Sequence, residues 1–287
     1  MHQKTLSLFD LIPGKVLLDR YKIVRTNRRD GMSTTFVVED LAADGERELQ
    51  VFPASMFENR EQSRDFVRVM QPWTKIASRT VLKAHSVHDL EDGTVLFVTD
   101  LPPAKSLREH GKERAPLPTA EVVKVGLELI EGLGAIHKAG LVHGDVKPNT
   151  IRVRDAKGHV ELIDGGITAS LWSAKHLGDK TALIGTPFYA PVEQFGGESP
   201  DVQSDVYNLA CVLYELATGV LPWKGKSFLE VFQEKLLKDP PSMKSRAPKV
   251  VVPEALEQAI RGGLMADRGE RYGDILPFRA ALSAIKH

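Results

Sequence analysis

Cysteine is almost missing from this chain: Cys211 stands alone among 287 residues, which excludes an internal disulfide and a cysteine-rich zinc site. It lies inside the apolar run 209–217, where a thiol serves as a small core side chain. No run of about 18 apolar residues occurs, and no basic stretch leads into an apolar one near Met1. Neither a membrane span nor a signal peptide is therefore expected, and a cytoplasmic location follows as the default. An excess charge of one sign is also lacking. The 38 Lys and Arg balance the 38 Asp and Glu, so no overall field steers the chain toward nucleic acid or an anionic membrane surface. Internal repeats and low-complexity tracts are absent as well.

What is present divides into a strand-rich first part and a helical second part. Residues 21–26, 35–39, 48–52, 83–89 and 95–99 read as short strands, with turn chemistry at Asp44-Gly45 and Asp92-Gly93. One helix, over 59–77, interrupts them. Beyond Pro102-Pro103 the pattern changes: Thr119 can cap a helix whose apolar positions Val122, Val125, Leu129, Leu133 and Ile136 keep helical spacing up to Gly140. A hairpin follows, 151–154 with 160–163, turning at 155–158.

The segments flanking that hairpin carry chemistry. His143-Gly144-Asp145-Val146-Lys147-Pro148 precedes it and Asp164-Gly165-Gly166 follows it. Their order and spacing resemble the catalytic loop H-R-D-L-K-P and the D-F-G motif of protein kinases. Gly185-Thr186-Pro187-Phe188-Tyr189 with Glu193-Gln194 resembles the substrate-side loop and A-P-E segment of bacterial eukaryotic-like Ser/Thr kinases, and Ser204-Asp205-Val206-Tyr207 and Arg271 match that family's central helix and late arginine. The resemblance implies an α+β bilobal protein-kinase-like fold: an N-terminal extension over 1–20, then a kinase-like domain over 21–285, with a small β-rich N-lobe at 21–101 and a larger helical C-lobe at 102–285. It further implies a buried Glu193–Arg271 ion pair, Asp205 holding the catalytic-loop backbone, and His143 as a core histidine. Lys147 and Thr186 point to Ser/Thr-type ancestry.

The same alignment exposes departures from the family. Phosphoryl transfer by this fold is mostly positioning and charge neutralisation, so each part can be checked. The three glycine positions of the phosphate loop hold Arg28, Asp30 and Ser33. Arg28 reads as a solvated loop charge, with phosphate contact as the alternative. Gln50 stands at the strand lysine and Val69 at the helix glutamate. Thr150 replaces the metal-binding asparagine, with Asn149 one place early, and a threonine hydroxyl is the poorer magnesium ligand. Gly165 replaces the phenylalanine of D-F-G, and Gly144 the arginine that answers a phosphorylated loop. At the adenine position Glu48 takes the roof and Arg152 the floor, a charged pair expected to meet, fill the slot and offset each other's desolvation. Thr99 and Asp100 lie at the hinge, where Pro102 has no N–H to donate to adenine.

These departures imply a pseudokinase with a regulatory or scaffolding role in signalling, binding ATP weakly or not at all, with no cofactor and no metal. Its partner would be a protein, for instance another kinase or a signalling complex. Glu48, Gln50, Thr99, Asp100 and Arg152 are then a vestigial nucleotide pocket. The alternative is an atypical ATP-dependent Ser/Thr kinase, or another nucleotidyl or phosphoryl transferase. That enzyme would use Asp145, Lys147 and Asp164 as general base, phosphate contact and metal ligand, with weakly bound ATP and Mg²⁺ or Mn²⁺.

Overall fold

The computed structural model describes residues 6–29, 33–174, 187–236 and 239–286. The chain forms two compact units. The first comprises chiefly Met1–Ala77 and Leu82–Pro102, the second Ser78–Val81, Pro103–Trp172 and His176–His287.

In the first unit six strands form one antiparallel sheet in the order β1-β2-β3-β4-β6-β5. They are β1 (Val16–Leu17), β2 (Tyr21–Arg29), β3 (Thr34–Asp40), β4 (Glu46–Phe52), β5 (Ala84–Asp89) and β6 (Val95–Asp100). Alternation sends Tyr21, Ile23, Phe36, Val38, Leu49, Val51, Leu96 and Val98 into a single buried cluster. Leu11 and Leu17 join that cluster from the residues before Tyr21, so the ordered part of this unit starts earlier than the first expected strand. The helix expected over 59–77 is shorter. α1 (Arg60–Met70), capped by the Asn59 side chain, gives way to a 3-10 turn at Gln71–Lys75. Pro72 is the reason, because it has no N–H for the next α-helical bond. Phe66 of α1 packs on Phe52 with ring centroids 4.9 Å apart.

The second unit is built on helices: α2 (Leu107–Arg114), α3 (Thr119–Lys138), α4 (Ile167–Ala174), α5 (Val192–Phe195), α6 (Val202–Thr218), α7 (Phe228–Lys235), α8 (Met243–Arg246), α9 (Glu254–Gly263) and α10 (Ile275–Ser283). The hairpin β7 (Ile151–Val153) and β8 (Val160–Leu162) packs on α3. Thr119 is the first helical residue of α3 rather than its cap. Pro118 takes the cap position without a side-chain hydrogen bond, and its fixed φ suits the entry to a helix. α6 is buried nearly all round, with Leu209, Ala210, Cys211, Val212, Leu213 and Tyr214 fully enclosed. Full burial of each large apolar side chain there contributes about 1.5–3 kcal/mol. No helix among the described residues is long and apolar enough to cross a membrane.

The expected buried pair closes the base of this unit. Arg271 donates Nη1 and Nη2 to the Glu193 carboxylate at 2.6 and 3.1 Å, and Nε to the Met265 carbonyl at 2.9 Å. Arg271→Met would leave Glu193 buried without its cation. Urea denaturation should show a loss of about 3–5 kcal/mol.

Candidate functional site

The catalytic-loop residues hang from α6. Asp205 accepts the backbone N–H groups of His143 (2.9 Å) and Gly144 (2.8 Å), and its carboxylate also meets His137 Nε2 at 2.8 Å. This is the backbone-holding role expected of Asp205. His143 is fully buried; its Nε2–H donates to the Ile163 carbonyl at 3.1 Å, and its Nδ1 accepts from the Asp145 N–H at 3.3 Å. Burial pushes its pKa down, so the imidazole is a neutral core group in one defined tautomer, as expected.

Asp145 and Lys147 come together, with Lys147 Nζ 2.6 Å from Asp145 Oδ2. Thr150 is spent on the loop itself. Its hydroxyl lies 2.8 Å from the Asp145 carbonyl and 3.1 Å from the Lys147 carbonyl, and it accepts the Lys147 N–H at 3.1 Å. One proton and one lone pair are thus committed to closing the turn. Asp164 follows β8 with a φ of +59°. Two residues on, the Gly166 N–H donates to the His143 carbonyl at 2.9 Å, which ties the two motifs together.

α4 starts directly after Gly166, and Ile167, Thr168, Ser170 and Leu171 are buried. Gly144 sits beside this helix with a φ of +78°. A Cβ built there would lie 3.3 Å from Pro200 Cβ and 3.4 Å from Ala169 Cβ. The position at which the resemblance calls for arginine thus has a backbone conformation suited to glycine. Asp30 and Thr186 lie outside the described residues.

On the first unit the roof residue Glu48 is buried on β4. Glu48 obtains its counter-charge from its own sheet. Arg28 donates to Oε1 from Nε at 3.0 Å and to Oε2 from Nη2 at 2.5 Å, and Asn27 Nδ2 adds 2.7 Å to Oε1. Arg28 is likewise no solvated loop charge, for its side chain is only 21% exposed. Two residues along β4, Gln50 donates Nε2 to Ser33 Oγ at 2.7 Å within buried surroundings. Thr99 Oγ1 donates to the Asp100 carbonyl, and the Asp100 carboxylate takes His85 Nε2 at 2.8 Å with Arg47 at 3.6 Å. In the second unit, Arg152 on β7 donates Nη1 to the Ala104 carbonyl at 3.2 Å.

Sequence reading missed the Arg28–Asn27–Glu48 network because it spans two strand pairings: Arg25 lies opposite Val37, and Val37 opposite Glu48. Register, shifted twice along β2, brings Arg28 within reach. It also missed Lys235 and Asn208, whose partners are backbone carbonyls with no sequence signature. The Gly144 geometry is testable. Gly144→Arg should lower the unfolding free energy in urea by at least about 1–2 kcal/mol, the backbone cost alone, and Gly144→Ala should share that part of the loss.

The model of the protein kinase domain matches residues 54–283. Serine/threonine-protein kinase PknL of Mycobacterium bovis is 31% identical over 280 residues, covering 96% of this chain and 68% of the relative. PrkC of Bacillus subtilis is 27% identical over 264 residues, covering 91% of this chain, which spans only 40% of PrkC's length. Among solved structures, the PknI kinase domain of Mycobacterium tuberculosis aligns over 95% of this chain and 98% of that domain, with TM-score 0.72 and 21% identity. The fold is thus the bilobal α+β kinase fold, and the chain belongs to the protein kinase family, among whose members it is similar to bacterial Ser/Thr kinases.

Proposed function

We infer that this chain is a pseudokinase that regulates or scaffolds a protein partner and binds Mg·ATP weakly or not at all. The observation that carries this reading is the side-chain network on β4. Glu48 stands where the resemblance calls for a small residue and is engaged by Arg28 and Asn27; Gln50 stands where it calls for lysine and is engaged by Ser33. A phosphate needs cations and open N–H groups. This sheet offers an anion already neutralised and an uncharged amide. The residues also fit the metal poorly, because Thr150 commits its hydroxyl to the loop backbone. Another kinase or a signalling complex is the partner class that the family suggests.

A second reading keeps its footing on Asp145, Lys147 and Asp164. They retain the family's residue types, and Lys147 neutralises Asp145 at 2.6 Å. Under that reading Asp145 orients a hydroxyl and accepts its proton, while Asp164 contacts a metal, giving an atypical kinase or other phosphoryl transferase.

Thermal unfolding with ATP, alone and with Mg²⁺ or Mn²⁺, separates the two. A ligand at a hundredfold its Kd adds about 2.7 kcal/mol to the native state, and no shift is expected at millimolar nucleotide. A metal-dependent rise in Tm, with phosphoryl transfer from labelled ATP that vanishes in Asp145→Ala, would establish the enzyme instead.

A further inference from the structure

The segment 187–190 has no place in a helix or sheet ladder, yet all four of its consecutive carbonyls are claimed by side chains. Lys235, the last residue of α7, directs its ammonium at three of them: the Pro187 carbonyl at 2.9 Å, the Phe188 carbonyl at 3.1 Å and the Ala190 carbonyl. Asn208 of α6 donates Nδ2 to the fourth, the Tyr189 carbonyl, at 2.7 Å. An ammonium has three N–H donors, so Lys235 is saturated by this segment alone.

Its surroundings make the arrangement costly to hold by any other means. Lys235 is 1% exposed and lies 5.4 Å from the Phe195 ring and 5.2 Å from the Tyr207 ring. The titratable groups facing it are Cys211 and Tyr207 of α6, Glu193 of α5, and Arg271. Burial pushes the Cys211 thiol up to about 12 and the Tyr207 phenol well above its usual value, so both are neutral. Glu193 and Arg271 neutralise each other. The positive charge of Lys235 is thus met by carbonyl dipoles and ring faces rather than by a carboxylate. Meanwhile the arginine through which a phosphorylated loop would order this region is replaced by Gly144.

We propose that Lys235 is the positioning residue of the partner-facing segment, holding 187–190 in one shape from beneath and without a phosphorylated residue. This deepens the pseudokinase reading and rests on it for the role of the surface, though the pin itself is a property of the second unit alone. It makes the segment, half-buried at Pro187 and Phe188 and buried at Tyr189 and Ala190, a preformed element that is ordered whether or not nucleotide is bound.

Proton linkage supplies a signature that mere core filling lacks. Burial lowers Lys235 from 10.5 to about 8. Freeing the segment releases Lys235 to the higher value and takes up a proton between those limits, so a rise in pH suppresses opening. The experiment is cleavage of the native full chain by chymotrypsin at Phe188 or Tyr189. Products are assigned by mass and rates normalised to a free peptide spanning 187–193, under conditions where cleavage reports the open population. Lys235→Met should raise cleavage at least tenfold at pH 7.5. Wild-type cleavage should fall about fivefold between pH 8 and 9, whereas the variant should show a flat normalised profile. Equal cleavage of wild type and Lys235→Met overturns the proposal, and so does a wild-type profile as flat as the variant's. If Lys235→Met does not fold, the wild-type pH profile decides alone. The nucleotide titration is independent: a metal-dependent ATP shift would sink the pseudokinase reading and leave the pin standing, while unchanged cleavage would do the reverse.

Discussion

The carboxylate of Asp205 is the point from which the second unit's functional loops are suspended. Fully enclosed at the start of α6, it meets two consecutive backbone N–H groups and one imidazole. Such a group is stable in the interior only while those donors stay in place. Its hydrogen bonds fix His143, whose carbonyl receives Gly166 and whose ring spans from Asp145 to Ile163. The positions of Asp145, Lys147 and Asp164 are thus tied to a buried anion. Retention of those residue types is consistent with folding demands alone.

The two units accommodate the residues that differ from the resembled motifs in different ways. In the catalytic loop the geometry persists around changed side chains: Thr150 closes the turn with its own hydroxyl, and Gly144 adopts a left-handed backbone beside α4. On the sheet the changes form a network of their own. A buried carboxylate is costly without a cation, and Arg28 and Asn27 supply a fork and an amide to satisfy it. Gln50 and Ser33 do the same for a neutral pair.

Legibility in the sequence followed the range of the interactions. The motifs around the β7–β8 hairpin are contiguous, and the Glu193–Arg271 pair and the role of Asp205 could be expected because the resemblance gave their partners. Strand positions were legible from alternation, since Leu49 and Val51 face one side and Glu48 and Gln50 the other. The partner of Glu48 was not, because it depends on two bulges in β2. The break in the helix after Met70 was signalled by Pro72, whereas the capture of four carbonyls at 187–190 leaves no trace in composition or spacing. Outside caps and recognised motifs, a side chain that donates to a backbone carbonyl is silent in sequence, as any residue type supplies the acceptor.

The Arg28–Glu48 contact also sets an order on the substitutions that would undo it. Replacing Arg28 by the glycine of an open phosphate loop would strand a carboxylate that is 2% exposed, whereas replacing Glu48 first would leave a guanidinium with some access to water. Removal of the pair therefore has an ordered path, in which the anion must go before the cation. The stability lost by taking the steps in reverse acts as a ratchet against it.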